Sequence, residues 1–166
     1  MVRQLRVPFK HLSVFLLTLM PSPTAYGIRT ITEQSLKAWF DANASMLPGV
    51  QIHAGQTDEL RSVPIVILHA ETATAHRDLG AFSLGNFELT VKVYVYSSAD
   101  DSTLAQHRER VENVQAIMQD VAGLQGAWTD GDLYAAWIVS DDEGVADRRY
   151  GNVLSYTLVA VYPPAP

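Results

Sequence analysis

The side chains that could do chemistry in this chain are few, and their spacing does not suit it. His69-Ala70-Glu71 with His76 is the nearest thing to a zinc site. A metal-binding helix of that kind places two histidines four residues apart with the glutamate directly after the first, and neither condition is met. Asp141, Asp142, Glu143 and Asp147 suggest calcium. A calcium loop needs carboxylates at alternating positions, a glycine at the sixth and a distant glutamate. Here the carboxylates are consecutive and are followed by Arg148 and Arg149, which reads as a solvated charged arm. In Gly80-Ala81-Phe82-Ser83-Leu84-Gly85 the serine falls three residues after the glycine, not the two that a nucleophile elbow requires. There is no phosphate-cradling loop and no dinucleotide fingerprint. There are no cysteines, hence no thiolate nucleophile or ligand and no disulfide. His107 lies on an apolar helix face, where a hydrogen-bonded core or boundary histidine is expected. The sequence therefore predicts no catalytic residue, cofactor or metal.

Two groups of residues are better suited to contact than to catalysis. Residues 86–96 alternate strictly: Phe87, Leu89, Val91, Val93 and Val95 point one way, and Glu88, Thr90, Lys92, Tyr94 and Tyr96 the other. Tyrosine on a polar face supplies contact area with little entropy to lose. It can equally serve cross-strand packing within a sheet, and both readings stay open. The charged arm is the second group. Asp141, Asp142 and Glu143 stand close to Arg148 and Arg149, which allows pairing within the arm or with a neighbour; the second gives each copy an acidic and a basic patch for a head-to-tail contact. The tryptophans Trp39, Trp128 and Trp137 are scattered and are expected in the core.

These residues must be positioned by a short series of elements. Thr30 and Glu33 fit a capping box opening a helix over 31–46, with Leu36, Trp39, Phe40, Asn43 and Leu47 on one face and Pro48-Gly49 as its stop. Short strands follow at 50–55 and 62–71, the second starting near Pro64, then a loop or hairpin arm over 72–85. After the strand at 86–96, Asp100 and Asp101 open a helix of about twenty residues, 101–122. Its apolar face carries Leu104, His107, Val111, Val114, Met118 and Val121, and Gly123 caps it. Strands at 133–139 and 153–162 flank the arm 140–152, which looks too long and too charged for a tight hairpin. The expected fold class is α+β: a mostly antiparallel sheet with two α-helices packed on one face.

The chain has 166 residues, a net charge of −6, 48% hydrophobic and 18% charged residues, enough for one domain with a real core, here expected over 28–166. The acidic balance argues against direct nucleic-acid recognition. Residues 1–27 stand apart: a basic start (Arg3, Arg6, Lys10), the apolar stretch 11–20, and Ala25-Tyr26-Gly27. The stretch is too short to span a membrane, so no membrane partner is expected. The segment reads as a secretory signal, as sequence upstream of a true start at Met20, or as an extension that packs on a neighbour.

The stretches "LPGVQIHAG", "VPIVILHAE" and "LGNFELTVKVYVYSSADDSTLAQHRERVENVQAIMQD", then a charged arm and "LSYTLVAVY", together resemble the tail terminator, or tail completion, proteins of tailed bacteriophages over residues 28–162. The resemblance rests on element order and on the strand-to-helix step. It implies a structural virion protein with no catalytic role, forming a homo-oligomeric, hexameric ring that caps the tail tube, ends its growth and joins it to the head. The implied partners are other copies of the chain, the tail tube protein and a neck or head-completion protein. The implied location is the virion, assembled in the host cytoplasm. Other neck, head-completion or tail-tube proteins of the same assembly share this character, and an exported binding module follows if residues 1–27 are a signal.

Overall fold

The computed structural model describes residues 25–56, 63–75 and 85–162. The first helix, α1 (Ala25–Ala42), is followed by a 3-10 turn (Ala44–Met46) and by β1 (Gln51–Ala54), β2 (Ile65–Ala75) and β3 (Asn86–Ser98). Then come α2 (Leu104–Gln119), a short α3 (Val121–Ala127), β4 (Asp132–Ala146) and β5 (Arg149–Val161). The five strands form one sheet in the order β1-β2-β3-β5-β4. β1 runs parallel to β2 and every other neighbouring pair is antiparallel. The α+β class is as expected, with a third helix added.

The period-two pattern of β3 survives intact: Leu89, Val91, Val93 and Val95 are buried. They face the same layer as Val66 and Leu68 of β2 and Leu154, Tyr156, Leu158 and Ala160 of β5, which join the helices in one core. Ile28, Leu36 and Phe40 come from α1; Val111, Val114, Ile117 and Met118 from α2; Leu124 from α3. Two hydroxyls also lie on the buried side of α1, and both are bonded. Thr32 Oγ1 meets the carbonyl of Ile28 at 2.8 Å and the Tyr162 hydroxyl at 3.1 Å, and Ser35 Oγ meets Thr129 Oγ1 at 3.0 Å. A buried hydroxyl left unbonded would cost about 1–3 kcal/mol.

Several expected boundaries are corrected. Thr30 and Glu33 lie inside α1, not at its start, and the Glu33 carboxylate reaches sideways instead: its Oε1 accepts from the Ala70 amide at 2.9 Å and lies 3.1 Å from His69 Nδ1. Since β1 ends at Ala54, Glu33 stands in for the ladder partner that β2 loses there. The regular helix ends at Ala42, well before Pro48. β2 runs on to Ala75 with a bulge between Ala70 and Thr72, so the first part of the expected loop 72–85 is strand. Residues 76–84, with His76 and the Gly80–Leu84 stretch, lie outside the described residues, and so do residues 1–24 of the expected extension 1–27; its last three residues, Ala25–Gly27, instead open α1. α2 is opened by Thr103, whose side chain accepts from the Gln106 amide while Gln106 Oε1 accepts from the Thr103 amide; Asp100 and Asp101 form the preceding turn. Asp120, not Gly123, ends α2, and its Oδ1 accepts from the Gly123 amide to start α3. Gly123 is needed for another reason: a Cβ there would run into the Trp39 indole of α1.

The largest correction concerns residues 140–152. β4 and β5 run through this stretch paired to the end, and only Asp147 and Arg148 form the turn. Both take positive φ, 49° and 58°. Left-handed backbone at both central positions matches the right-handed twist of the flanking strands in a two-residue hairpin. The arm is thus an ordered ribbon closed by a tight turn.

Candidate functional site

The sequence-singled residues fall on the two faces of this ribbon and on the sheet beside it. On the face toward α2, Glu143 lies opposite Asn152 and Asp141 opposite Leu154. Glu143 takes both nitrogens of a guanidinium fork, Arg108 Nε and Nη2 each at 2.8 Å. That arginine holds the Glu143 carboxyl below the usual carboxylate range. Asp141 accepts from Asn152 Nδ2 at 2.6 Å and from Gln115 Nε2 at 2.8 Å. Two of the three carboxylates expected to face a neighbouring copy are therefore bound within the chain. Asp142, among the described residues, has only the Ser140 hydroxyl at 3.3 Å. Arg148 at the tip is 82% exposed and stands 3.9 Å from Asp100, and Arg149 is half-buried in the first β5 pair.

Beneath the arm lies a closed polar chain. A carboxylate only accepts, so the Asn152 amide must present its nitrogen to Asp141 and its oxygen to His107 Nε2, 2.8 Å away. Nε2 therefore carries the proton, and Nδ1 accepts from Ser97 Oγ at 2.9 Å. Ser97 Oγ accepts in turn from Arg110 Nη1 at 2.9 Å. Tyr150 stacks on the imidazole with ring centres 5.7 Å apart. His107 is fully buried, and burial pushes its pKa below the ordinary histidine value. A histidine that solvent cannot reach, with both nitrogens occupied, pins α2 to β3 and β5, as its position on the apolar helix face suggested.

The outer face of the sheet holds Lys92, Tyr94 and Tyr96, all half-buried. Lys92 Nζ bonds Glu71 Oε1 at 2.9 Å. The two tyrosines stack on each other, ring centres 6.3 Å apart and planes 11° from parallel. The Tyr96 ring also lies over Gly151, where an added Cβ would sit 3.0 Å from its edge. Gly151 faces Gly144 across the ribbon, leaving a shallow hollow of about 480 Å³ beside Tyr96. Packing within the sheet thus accounts for part of what the tyrosines do. No helix among the described residues is long and apolar enough to cross a membrane. Among them, too, no three metal-ligating side chains converge.

One feature was missed by sequence reasoning. β4 is an edge strand, and its middle exposes large apolar side chains: Tyr134 at 62%, Trp137 at 47%, Ile138 at 39% and Val139 at 62%. The expectation that Trp137 belongs to the core is overturned. Tyr134 and Val139 are the extra residues of two bulges, between Leu133 and Ala135 and between Ile138 and Ser140. A bulge turns its extra residue off the ladder. The broken alternation of "LYAAWIV" was the available signal, but alternation alone does not say which strand ends the sheet.

No protein-family model matches the chain, and no curated protein matches it. Among solved structures it is similar to a chain of the virion of a native gene transfer agent (GTA) particle. The TM-score is 0.54 at 12% identity, over 80% of this chain and 97% of that one. At that identity the likeness establishes a shared fold.

Proposed function

We propose that this protein is a structural component of a phage-like virion and, more finely, its tail terminator: a closed, hexameric homo-oligomeric ring that caps the tail tube, halts its polymerisation and joins it to the neck. The observation that carries the reading is the shared fold, spanning 97% of a chain in a gene transfer agent virion. The site geometry supports a role without catalysis. The buried His107 is occupied on both nitrogens, and the Arg108–Glu143 fork holds the arm to α2. A subunit that meets its neighbour head to tail closes into a ring when the rotation per copy divides a full turn. The tight turn at Asp147 and Arg148, held at the end of a ribbon paired along its whole length with the sheet, suits such a contact. The partners are then further copies of the chain, the tail tube protein and a neck or head-completion protein. Purified protein should appear as rings in electron micrographs, and particles made without this gene should carry tails of irregular, excessive length with no heads joined. Normal-length tails without heads would refute the terminator role and move the protein to the neck.

A further inference from the structure

The hollow beside Tyr96 has a floor that the fold itself does not require. Its middle is the pair Gly144–Gly151, two strand residues without side chains. Gly151 is accounted for, because the Tyr96 ring occupies the space over it. Gly144 is not. Its backbone lies outside the left-handed region, and an added Cβ would meet nothing within 4 Å among the described residues. Glycine weakens a strand, and one that the strand does not call for often marks the close approach of another group. Tyr96 and Val153 wall the hollow with apolar surface. Of the charged residues that also line it, Asp142 and Asp147 are exposed and Glu143 is held by Arg108. Arg149 differs: it is half-buried, and its side chain makes no hydrogen bond or ion pair among the described residues. Charges drawn away from water are paired as a rule, so Arg149 calls for an anion from outside the subunit.

The opposite end of the same ribbon carries a group that fits. Tyr134 is the extra residue of the bulge after Leu133 and is 62% exposed. Asp132 and Asp130 precede it, both exposed and both without a side-chain hydrogen bond or ion pair among the described residues. Residues 128–147 contain no lysine or arginine that could neutralise them locally. Between Tyr134 and Gly144 lie about 30 Å of paired strand, so the tyrosine and the hollow of one copy cannot meet. Two complementary patches held apart on one subunit are satisfied only between copies, head to tail. An antiparallel pairing of two β4 edges would instead bring Asp130 and Asp132 of one copy toward Asp142 and Asp147 of the other, like against like.

We propose that the hollow is the seat for a second copy of this chain: Tyr134 of one copy packs over Gly144 and against Tyr96 of the next, and Asp132 and Asp130 meet that copy's Arg149 and Arg148. The tyrosine supplies the apolar body that the bare floor leaves room for, and the carboxylates supply the anion that Arg149 lacks. The contact rests on the ring reading above and names the two surfaces that would close the ring.

Gly144→Val in the full-length protein fills the hollow, clears its own subunit and puts a strand-favouring residue in a strand. Its melting temperature should equal or exceed the parent's, while its Kd of self-association, read by sedimentation, rises about tenfold or more. Tyr134→Ser should weaken association by a similar factor. Arg149→Asp and Asp132→Arg should each deplete the rings seen in electron micrographs, and both together in one chain should restore them, because every contact then holds the same pair reversed. Rings as abundant in Gly144→Val as in the parent overturn the contact and leave the ring reading standing. A double exchange that recovers nothing does the same. A parent that stays monomeric overturns the ring reading and this contact with it.

Discussion

Replacing His107 by leucine tests whether the polar chain under the arm holds the structure together. The substitution keeps an apolar body of similar size on α2 but removes a donor and an acceptor. The Asn152 carbonyl loses its bond at 2.8 Å, and the Ser97 hydroxyl loses its acceptor at 2.9 Å. Both partners are buried, so water does not replace His107 without rearrangement. An orphaned buried polar group costs about 1–3 kcal/mol, so two of them, partly offset by leucine's apolar surface, should destabilise by about 2–4 kcal/mol. In a domain of this size that lowers the melting temperature by roughly 5–15 °C. The pH dependence gives a second readout. The folded pKa of His107 lies below its unfolded value because burial opposes the charge. As pH falls, the unfolded chain takes up the proton first, so the stability His107 confers is whole above about pH 6.5 and is lost as pH falls below it toward the depressed folded pKa. Arg108 and Arg110 push the same way, while the Asn152 bond and Glu143 oppose. Urea unfolding between about pH 5 and pH 7.5 should show the parent weakening toward acid and the leucine variant doing so with a shallower slope. A variant as stable as the parent at neutral pH, or one with the same slope, would refute the reasoning.

Further perturbations read other parts of the molecule. Asp147→Asn with Arg148→Gly places residues that favour left-handed backbone at the two positive-φ positions and should stabilise by about 1 kcal/mol in denaturant melts. Gly123→Ala would stabilise by about 1 kcal/mol if helix propensity ruled; the Trp39 ring against that position predicts destabilisation of about 1–3 kcal/mol instead, so the sign alone decides. Tyr94→Ser with Tyr96→Ser should weaken self-association, read by sedimentation, more than it lowers unfolding stability. The reverse outcome would mean that the stacked pair serves the sheet alone.

The parts legible in the sequence were those set by period. The alternation of β3 and the three-and-four spacing of α2 gave both elements and their buried faces, because burial on one side is what imposes those periods. The caps were less legible, since a hydroxyl followed three residues later by a polar side chain occurs at both Thr30 and Thr103, and only packing decides which is used. Glu33 was drawn away by the open β2 edge beyond Ala54. The ribbon was missed because its residues are charged: Asp141 and Glu143 sit in a strand since Arg108, Gln115 and Asn152 reach them from elsewhere in the chain, a long-range fact with no local mark. Strand order was not legible either, and with it went the exposure of Trp137.

The ribbon also has a mechanical consequence. β5 is in register with β3 over thirteen consecutive pairs, Asn86 with Val161 through Ser98 with Arg149. A pull on the tip along the strand direction would try to slide the hairpin past β3, loading all of those pairs in shear at once instead of opening them one after another. The Arg108–Glu143 fork and the Gln115–Asp141 bond cross from α2 to the ribbon and add resistance to the same sliding. A tip seated on a neighbouring molecule would therefore be anchored through the full length of the sheet, and the joint would yield at the tip contact before the arm was drawn out of the subunit.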